Sequence, residues 1–458
     1  MTIATTNPTT GIVEKTFEPH TAAEIERRIS LADSATRSLR TTTFAERSRW
    51  MRAAADLLEA DGDAVARILT LEMGKPFTQA QAEVLKSSKG LRFYAEHTEE
   101  FLAPERVEDP SSVNASYAGT RYEQLGVVLA VMPWNYPMWQ VLRFAAPALM
   151  AGNAGLLKHA SNVPQSALYL DTLFLRAGFP PGSFASLLIG SREVADVIRD
   201  HRVKAVTLTG SEQAGREVAA TAGREIKKTV LELGGSDAFV VMPSADLDEA
   251  VDVAVLTRTQ NNGQSCIAGK RFIVHADVYE RFAAMFAERL AALTVGDPMD
   301  PATQIGPLAT ESGRDELSEL VEDAKAKGAA VLAGGVVPNR SGWFYPPTLL
   351  ADLNDDMRIV MEEAFGPVAS LYRADDRQQA VDIANQTTFG LGSSVWSTDP
   401  DDHEFFTSVL DAGAVFINGM TASFPELPFG GIKSSGYGRE LAAVGVREFC
   451  NLKTVWKK

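Results

Sequence analysis

The chain has 458 residues, of which 45% are hydrophobic and 22% charged, with a formal net charge of −15. That length exceeds one hydrophobic core and predicts two or three domains of an ordinary globular protein. The acidic balance argues against nucleic acid and anionic membrane as partners, and no apolar run approaches the roughly 20 residues needed to span a bilayer. The opening Met1-Thr2-Ile3-Ala4-Thr5 lacks the basic region and apolar core of a signal peptide. The two cysteines, Cys266 and Cys450, do not make a disulfide framework, so a reducing cytoplasm is the expected setting. Six scattered histidines, with no HExxH and no CxxC, form no metal-binding pattern.

In chain order, Ala22 to Leu39, Ala45 to Ala60 and Gln79 to Glu96 carry helix formers with apolar residues at helical spacing, and this region is expected to be packing surface. Residues 99 to 122 read as a loop with Pro104, Pro110 and Gly119. Tyr117 to Gln124 reads as a strand that leaves the main body. From Gly126 the pattern becomes strands alternating with helices. The strands are Val127–Val131, Gly155–Lys158, Ala185–Ile189, Lys204–Leu208 and Lys228–Leu233. The helices are Trp139–Ala151, Gln165–Arg176, Glu193–Arg199 and Glu212–Ala222. Such spacing predicts a parallel sheet covered on both faces, with ligands beyond the carboxyl ends of its strands. A second α/β run follows Cys266, with strands at Arg271–His275, Ala330–Leu332, Gly390–Val395 and Ala414–Ile417 and helices at Val278–Leu293 and Glu311–Lys327. The final strand, Glu448 to Val455, would need a partner, such as another subunit.

Cys266 stands behind a Gly263-Gln264-Ser265 turn at a helix end, where a thiol can be a nucleophile or simply a small buried hydrophobe. Pro133-Trp134-Asn135 follows a buried strand, so the Asn135 amide sits where it can donate to a developing oxyanion or serve only as a turn residue. Glu232, in Glu232-Leu233-Gly234-Gly235, ends an apolar strand, and desolvation there would raise its pKa toward that of a general base. Thr209-Gly210-Ser211 links a strand to a helix whose N-terminal amides could take a phosphate, although no GxGxxG or P-loop is present. Two further glycine turns, Glu362-Glu363-Ala364-Phe365-Gly366-Pro367 and Pro428-Phe429-Gly430-Gly431-Ile432-Lys433, could each be only structural.

Taken in this order, together with Leu71-Glu72-Met73-Gly74-Lys75-Pro76 and Ser435-Gly436-Tyr437-Gly438-Arg439-Glu440, these motifs resemble the aldehyde dehydrogenase superfamily from about Glu46 to the C-terminus. The resemblance implies an α/β fold: a Rossmann-type cofactor domain (1–105 and 123–232), an α/β catalytic domain (233–440) and a small β oligomerisation element (106–122 and 441–458), assembled as a homodimer or homotetramer. It implies that Cys266 attacks the aldehyde as a thiolate, that Asn135 and the Cys266 backbone N–H hold the oxyanion, and that Glu232 activates the water that hydrolyses the thioester. Lys158 would bind the adenosine ribose and Glu363 the nicotinamide ribose, with Phe365 against the ring. Trp134, Gly210 and Ser211 would contact the cofactor, the last two at its pyrophosphate.

Members that prefer NAD commonly place a glutamate three residues after the lysine. Here Ser161 stands there, which removes a charge that would repel a 2′-phosphate, so NADP is the expected cofactor and NAD a weaker one. The sequence most resembles the shorter, bacterial, NADP-linked enzymes of this superfamily that oxidise succinate semialdehyde. Arg143, eight residues after Asn135, matches a position that binds the substrate carboxylate, and Ser423 could donate to the same group. The bland alternative for Arg143 is a helix-surface cation. Two departures stand out. Gln260 replaces an arginine that some members place six residues before the cysteine, leaving Arg258 to point elsewhere. Ala268 replaces a second cysteine, so no internal redox switch is expected. The same chemistry on glutarate semialdehyde or an aliphatic or aromatic aldehyde, and a non-catalytic binding or structural role, are the competing readings. Glu232 weighs against a CoA-acylating variant.

Overall fold

The computed structural model describes residues 2–458. Its first sheet has six strands in the spatial order Gly436–Tyr437, Lys228–Glu232, Val203–Thr209, Val127–Met132, Ala154–His159 and Phe184–Ser186. All are parallel except Gly436–Tyr437, which returns from late in the chain to pair antiparallel with Lys228–Glu232. Val127–Met132 explains why the sheet is doubly covered. Its side chains alternate, so Val128, Ala130 and Met132 enter one apolar core and Val127 and Leu129 the other. The helices Phe44–Ala60, Phe77–Phe101 and Trp139–Met150 close the first face, and Ala22–Leu39, Ser191–Arg199 and Glu212–Arg224 the second.

The chain enters this sheet at Val127–Met132, moves outward to Ala154–His159 and Phe184–Ser186, then crosses to Val203–Thr209 on the other side. The order therefore reverses between Val127–Met132 and Val203–Thr209, and parallel α/β sheets open a ligand crevice at such a reversal.

The second sheet has seven strands, ordered Ala330–Ala333, Thr348–Ala351, Val368–Ala374, Gly269–His275, Asp237–Val241, Ser393–Trp396 and Val415–Ile417. Only Ala330–Ala333 is antiparallel. Leu233 to Ser236 lead directly from the carboxyl end of Lys228–Glu232 to the amino end of Asp237–Val241. The carboxyl edge of one sheet therefore passes straight into the amino edge of the other.

Tyr117–Gln124 and Cys450–Lys457 pair antiparallel as a two-stranded ribbon. A hairpin of Ile3–Asn7 and Ile12–Phe17, which the sequence reading did not single out, closes on the helix Gly62–Met73: Thr5 donates its hydroxyl to buried Glu72. The strand expected at Ala185–Ile189 is only Phe184–Ser186, and the one expected from Gly390 begins at Ser393. At Gly392, Asp237 Oδ1 takes the backbone N–H, so the glycine pair is a loop clamped by a buried carboxylate.

Candidate active site

The cysteine loop begins where the helix Leu247–Thr259 stops. Asn261 and Asn262 both adopt left-handed backbone (φ 59° and 57°), a conformation that asparagine tolerates better than most residues. Gly263 follows at φ 73°, and a Cβ there would collide with the backbone of Gly366. This close approach joins the cysteine loop to the Glu363-Ala364-Phe365-Gly366 turn. Asn261 Nδ2 donates to the Asn135 and Gln264 carbonyls, each at 2.9 Å, and Asn135 Nδ2 donates to the Gln264 carbonyl at 3.2 Å. The turn after the central strand and the cysteine loop are thus bonded together. Asn135 Oδ1 has no partner.

Buried cations brace the same loop. Arg258 donates to the Gly263 and Gly269 carbonyls, so its guanidinium serves the loop backbone. Lys270 Nζ donates to the Ser265 and Cys266 carbonyls and pairs with Glu363 at 3.0 Å. Glu363 Oε1 also accepts the Gly235 N–H. Gly235 itself is obligatory, because a Cβ there would lie 2.5 Å from the Cys266 carbonyl oxygen.

Cys266 keeps part of its surface open, yet protein surrounds the sulfur and burial pushes the thiol up to about 12, against the opposing pull of Arg143 and Lys270. Glu232 is 2% exposed and neither carboxylate oxygen has a partner. Burial, with the Glu440 carboxylate nearby, raises its pKa well above the usual carboxylate range, against Arg143 and Arg439. The resting site therefore holds a neutral thiol and a carboxyl group with a heightened proton affinity, and a Cβ at Gly430 would press on Glu232 Oε1.

Cys266 opens into a cavity of about 370 Å³, walled by Tyr136, Trp139, Arg143, Ile267, Ser423 and Phe429 among others. Arg143 lies within this wall, which overturns the helix-surface alternative: it is 3% exposed. Its guanidinium forms an ion pair with Glu440, donates to Thr209 Oγ1 at 3.3 Å and lies 4.8 Å from the Phe429 ring centre. Its charge is therefore matched inside the protein. Ser423 is buried, and its hydroxyl accepts from Trp139 Nε1 (2.9 Å) and Lys86 Nζ (3.0 Å). Gln260 also lines the cavity, where the family resemblance anticipated an arginine in some members.

On the other side of the loop, Trp134, Gln264, Glu363 and Phe365 line a second cavity, also of about 370 Å³. Trp134 and Phe365 meet edge to face, 5.7 Å between ring centres. Lys158 is the penultimate residue of the strand Ala154–His159, and Ser161 lies in the turn beyond it. Burial lowers the Lys158 pKa, with Glu193 opposing, and the lysine makes no ion pair among the described residues. Gly210 follows the strand Val203–Thr209, and exposed Ser211 caps the helix Glu212–Arg224. Trp134, Lys158, Ser161, Gly210 and Ser211 therefore all lie at the carboxyl ends of parallel strands.

The aldehyde dehydrogenase family model matches residues 1–455. The chain belongs to the aldehyde dehydrogenase family. It is 60% identical over 457 residues to succinate-semialdehyde dehydrogenase [NADP(+)] 1 of Mycobacterium ulcerans, covering 100% of both chains. It is likewise 60% identical to succinate-semialdehyde dehydrogenase [NADP(+)] of Mycobacterium avium, covering 97% of that protein. A crystal structure of succinic semialdehyde dehydrogenase from Streptococcus pyogenes in complex with NADP+ superposes with a TM-score of 0.96 at 37% identity, covering 99% of each chain.

The structure adds aldehyde dehydrogenase site residues that the sequence reading passed over. The helix Phe77–Phe101, expected to be packing surface, turns Gln79, Ala82, Glu83 and Lys86 toward the Cys266 cavity. Glu83 is ion-paired with buried Lys75, and its Oε1 accepts the Met138 and Trp139 N–H groups. Lys75 Nζ also donates to the Asn135 carbonyl at 3.1 Å. The signal was present as a repeat of polar residues at helical spacing on a helix whose other face is apolar, but exposed helix faces show the same pattern.

Proposed function

We propose that this aldehyde dehydrogenase oxidises succinate semialdehyde to succinate with NADP as the hydride acceptor. One observation carries the reading: Cys266 opens into the same cavity as Ser423 and Lys86, so a nucleophile, a hydroxyl and an ammonium face one short substrate. Relatives 60% identical over the whole chain carry that name.

The cofactor fits the residues present. Lys158 is a cation without a carboxylate partner, Ser161 adds no negative charge, and the amides at Gly210 and Ser211 begin a helix able to receive phosphate. Trp134, Glu363 and Phe365 would hold the nicotinamide end. NADP, when bound, supplies the hydride acceptor that converts the Cys266 thiohemiacetal to a thioester.

The chain's own residues do the rest. The Cys266 sulfur adds to the aldehyde carbon as its proton passes to Glu232, whose burial makes it the stronger base once ionised. Asn135 Nδ2 has a second N–H beyond the one bonded to Gln264, and with the Cys266 backbone N–H it receives the oxyanion. Once Glu232 has passed that proton on to solvent, its carboxylate takes a proton from water, the hydroxide adds to the thioester carbon, and collapse releases the acid as the Cys266 sulfur leaves as a thiolate and takes up a proton.

The cofactor half comprises 1–105 and 123–232 and the catalytic half 233–440 in this reading, with 106–122 and 441–458 forming a subunit contact. Half-exposed Leu452 and Trp456 on the Cys450–Lys457 strand support a homodimer or homotetramer. No helix among the described residues is long and apolar enough to cross a membrane, and a cytoplasmic setting fits the two free thiols. The test is the initial rate with succinate semialdehyde, first with NADP and then with NAD. Faster turnover with NADP is expected. Turnover only of neutral aldehydes would overturn the substrate, and turnover with NAD alone would overturn the cofactor.

A further inference from the structure

The walls of the Cys266 cavity carry three charged groups: Glu83, Lys86 and Arg143. Two are already matched. Glu83 is ion-paired with Lys75, and Arg143 with Glu440. Lys86 makes no ion pair among the described residues; its ammonium reaches only the Ser423 hydroxyl, at 3.0 Å, and the face of Trp139, 4.6 Å from the ring centre. The cavity therefore holds one unmatched positive charge, and a hydroxyl is already bonded to it.

We propose that Lys86 is the residue that selects aldehydes bearing a terminal carboxylate, receiving that anion jointly with the Ser423 hydroxyl. The proposal rests on the reading that a semialdehyde occupies this cavity. A partly desolvated ammonium gains most from an anionic partner, because the carboxylate restores the stabilisation that burial removed. Burial, with Arg143 nearby and Glu83 opposing, lowers the Lys86 ammonium to about 8, so it is still mostly charged near neutrality. The Ser423 oxygen accepts from both Lys86 and Trp139 Nε1, which leaves its own proton to donate to the incoming carboxylate. The aromatic rings of Trp139 and Phe429 suit the methylene chain between the two ends. Arg143 then acts on the site by its position beside Cys266, where it opposes the rise in the thiol pKa.

A purely structural Lys86, tying the helix Phe77–Phe101 to the Ser423 loop, would affect every aldehyde equally. The test compares wild type, Lys86→Met, Lys86→Arg and Ser423→Ala with succinate semialdehyde and with pentanal, at saturating NADP. Lys86→Met is expected to raise KM for succinate semialdehyde about 100-fold, the loss of one charge-assisted contact, with kcat changed by less than about threefold. KM for pentanal should stay within about twofold or fall, Lys86→Arg should recover most of the loss, and Ser423→Ala should cost about tenfold with the anionic substrate only. Equal losses on both aldehydes, or an unchanged KM for succinate semialdehyde, overturn the Lys86 assignment and leave the substrate reading standing. A wild-type enzyme that turns over pentanal but not succinate semialdehyde overturns both. Should Lys86→Met not fold, Lys86→Gln makes the same comparison.

Discussion

Replacing Asn135 with alanine separates a catalytic amide from a structural one. The side chain is buried, its Nδ2 makes a single hydrogen bond of 3.2 Å to the Gln264 carbonyl, and its Oδ1 makes none. Folding therefore loses one neutral hydrogen bond, worth about 1 kcal/mol, which in a chain of this length lowers Tm by less than about 3 °C. If the free N–H receives the oxyanion, the transition state loses about 3–4 kcal/mol, which slows turnover by about two to three orders of magnitude. The contacts that place the turn come from its backbone carbonyl, which Lys75 and Asn261 hold and which alanine keeps. The assay is NADPH formation at saturating aldehyde beside a thermal melt. Turnover within about tenfold of the wild-type rate, or a loss that tracks a large drop in Tm, would refute the oxyanion role. Asn261→Ala is the control: it removes two bonds of 2.9 Å from a left-handed residue, so its melt should move more than that of Asn135→Ala.

Other expectations follow from the same geometry. With the Cys266 thiol at about 12, alkylation of the cofactor-free enzyme by iodoacetamide should accelerate about tenfold per pH unit through the neutral and mildly alkaline range without a plateau, because the thiolate fraction rises with pH below the pKa; a plateau below about pH 8 would show an activated thiolate at rest. Cys266→Ala should abolish turnover and leave NADP binding measurable by fluorescence. Glu232→Gln should slow both the first burst of NADPH and the turnover that follows, each by about 100-fold or more, since thiol deprotonation and acyl transfer to water both need the base; steady turnover at the wild-type rate would remove that role. Ser161→Glu, placing a carboxylate near Lys158, should shift the ratio of kcat/KM for NADP over NAD downward by about tenfold or more; an unchanged ratio would discard Ser161 as the discriminating residue. Lys75→Met strands the Glu83 carboxylate in the interior and should cost about 3–5 kcal/mol in urea unfolding, with part recovered by adding Glu83→Gln.

The chemistry that could be read in sequence lies in short stretches where backbone pattern and residue type coincide. A continuous apolar run ending at Met132 predicts a buried strand, so Asn135 had to emerge at its carboxyl end; the same reasoning placed Glu232 and Gly210. Period and turn chemistry act over a few residues, and neighbours in sequence suffice to express them. The order of the motifs identified the family.

Charge balance was decided only by the tertiary structure. Arg143 looked like a cation for the substrate, but folding returns Glu440 to it from the far end of the chain. Lys86 lies on a helix expected to be only packing surface, but Ser423, 337 residues away, closes over it. Whether a buried charge is matched or left for a ligand depends on which distant side chain arrives beside it, and no local propensity encodes that meeting. Packing of the two sheets edge to edge makes those encounters, and with them the difference between a braced wall and a waiting anion site.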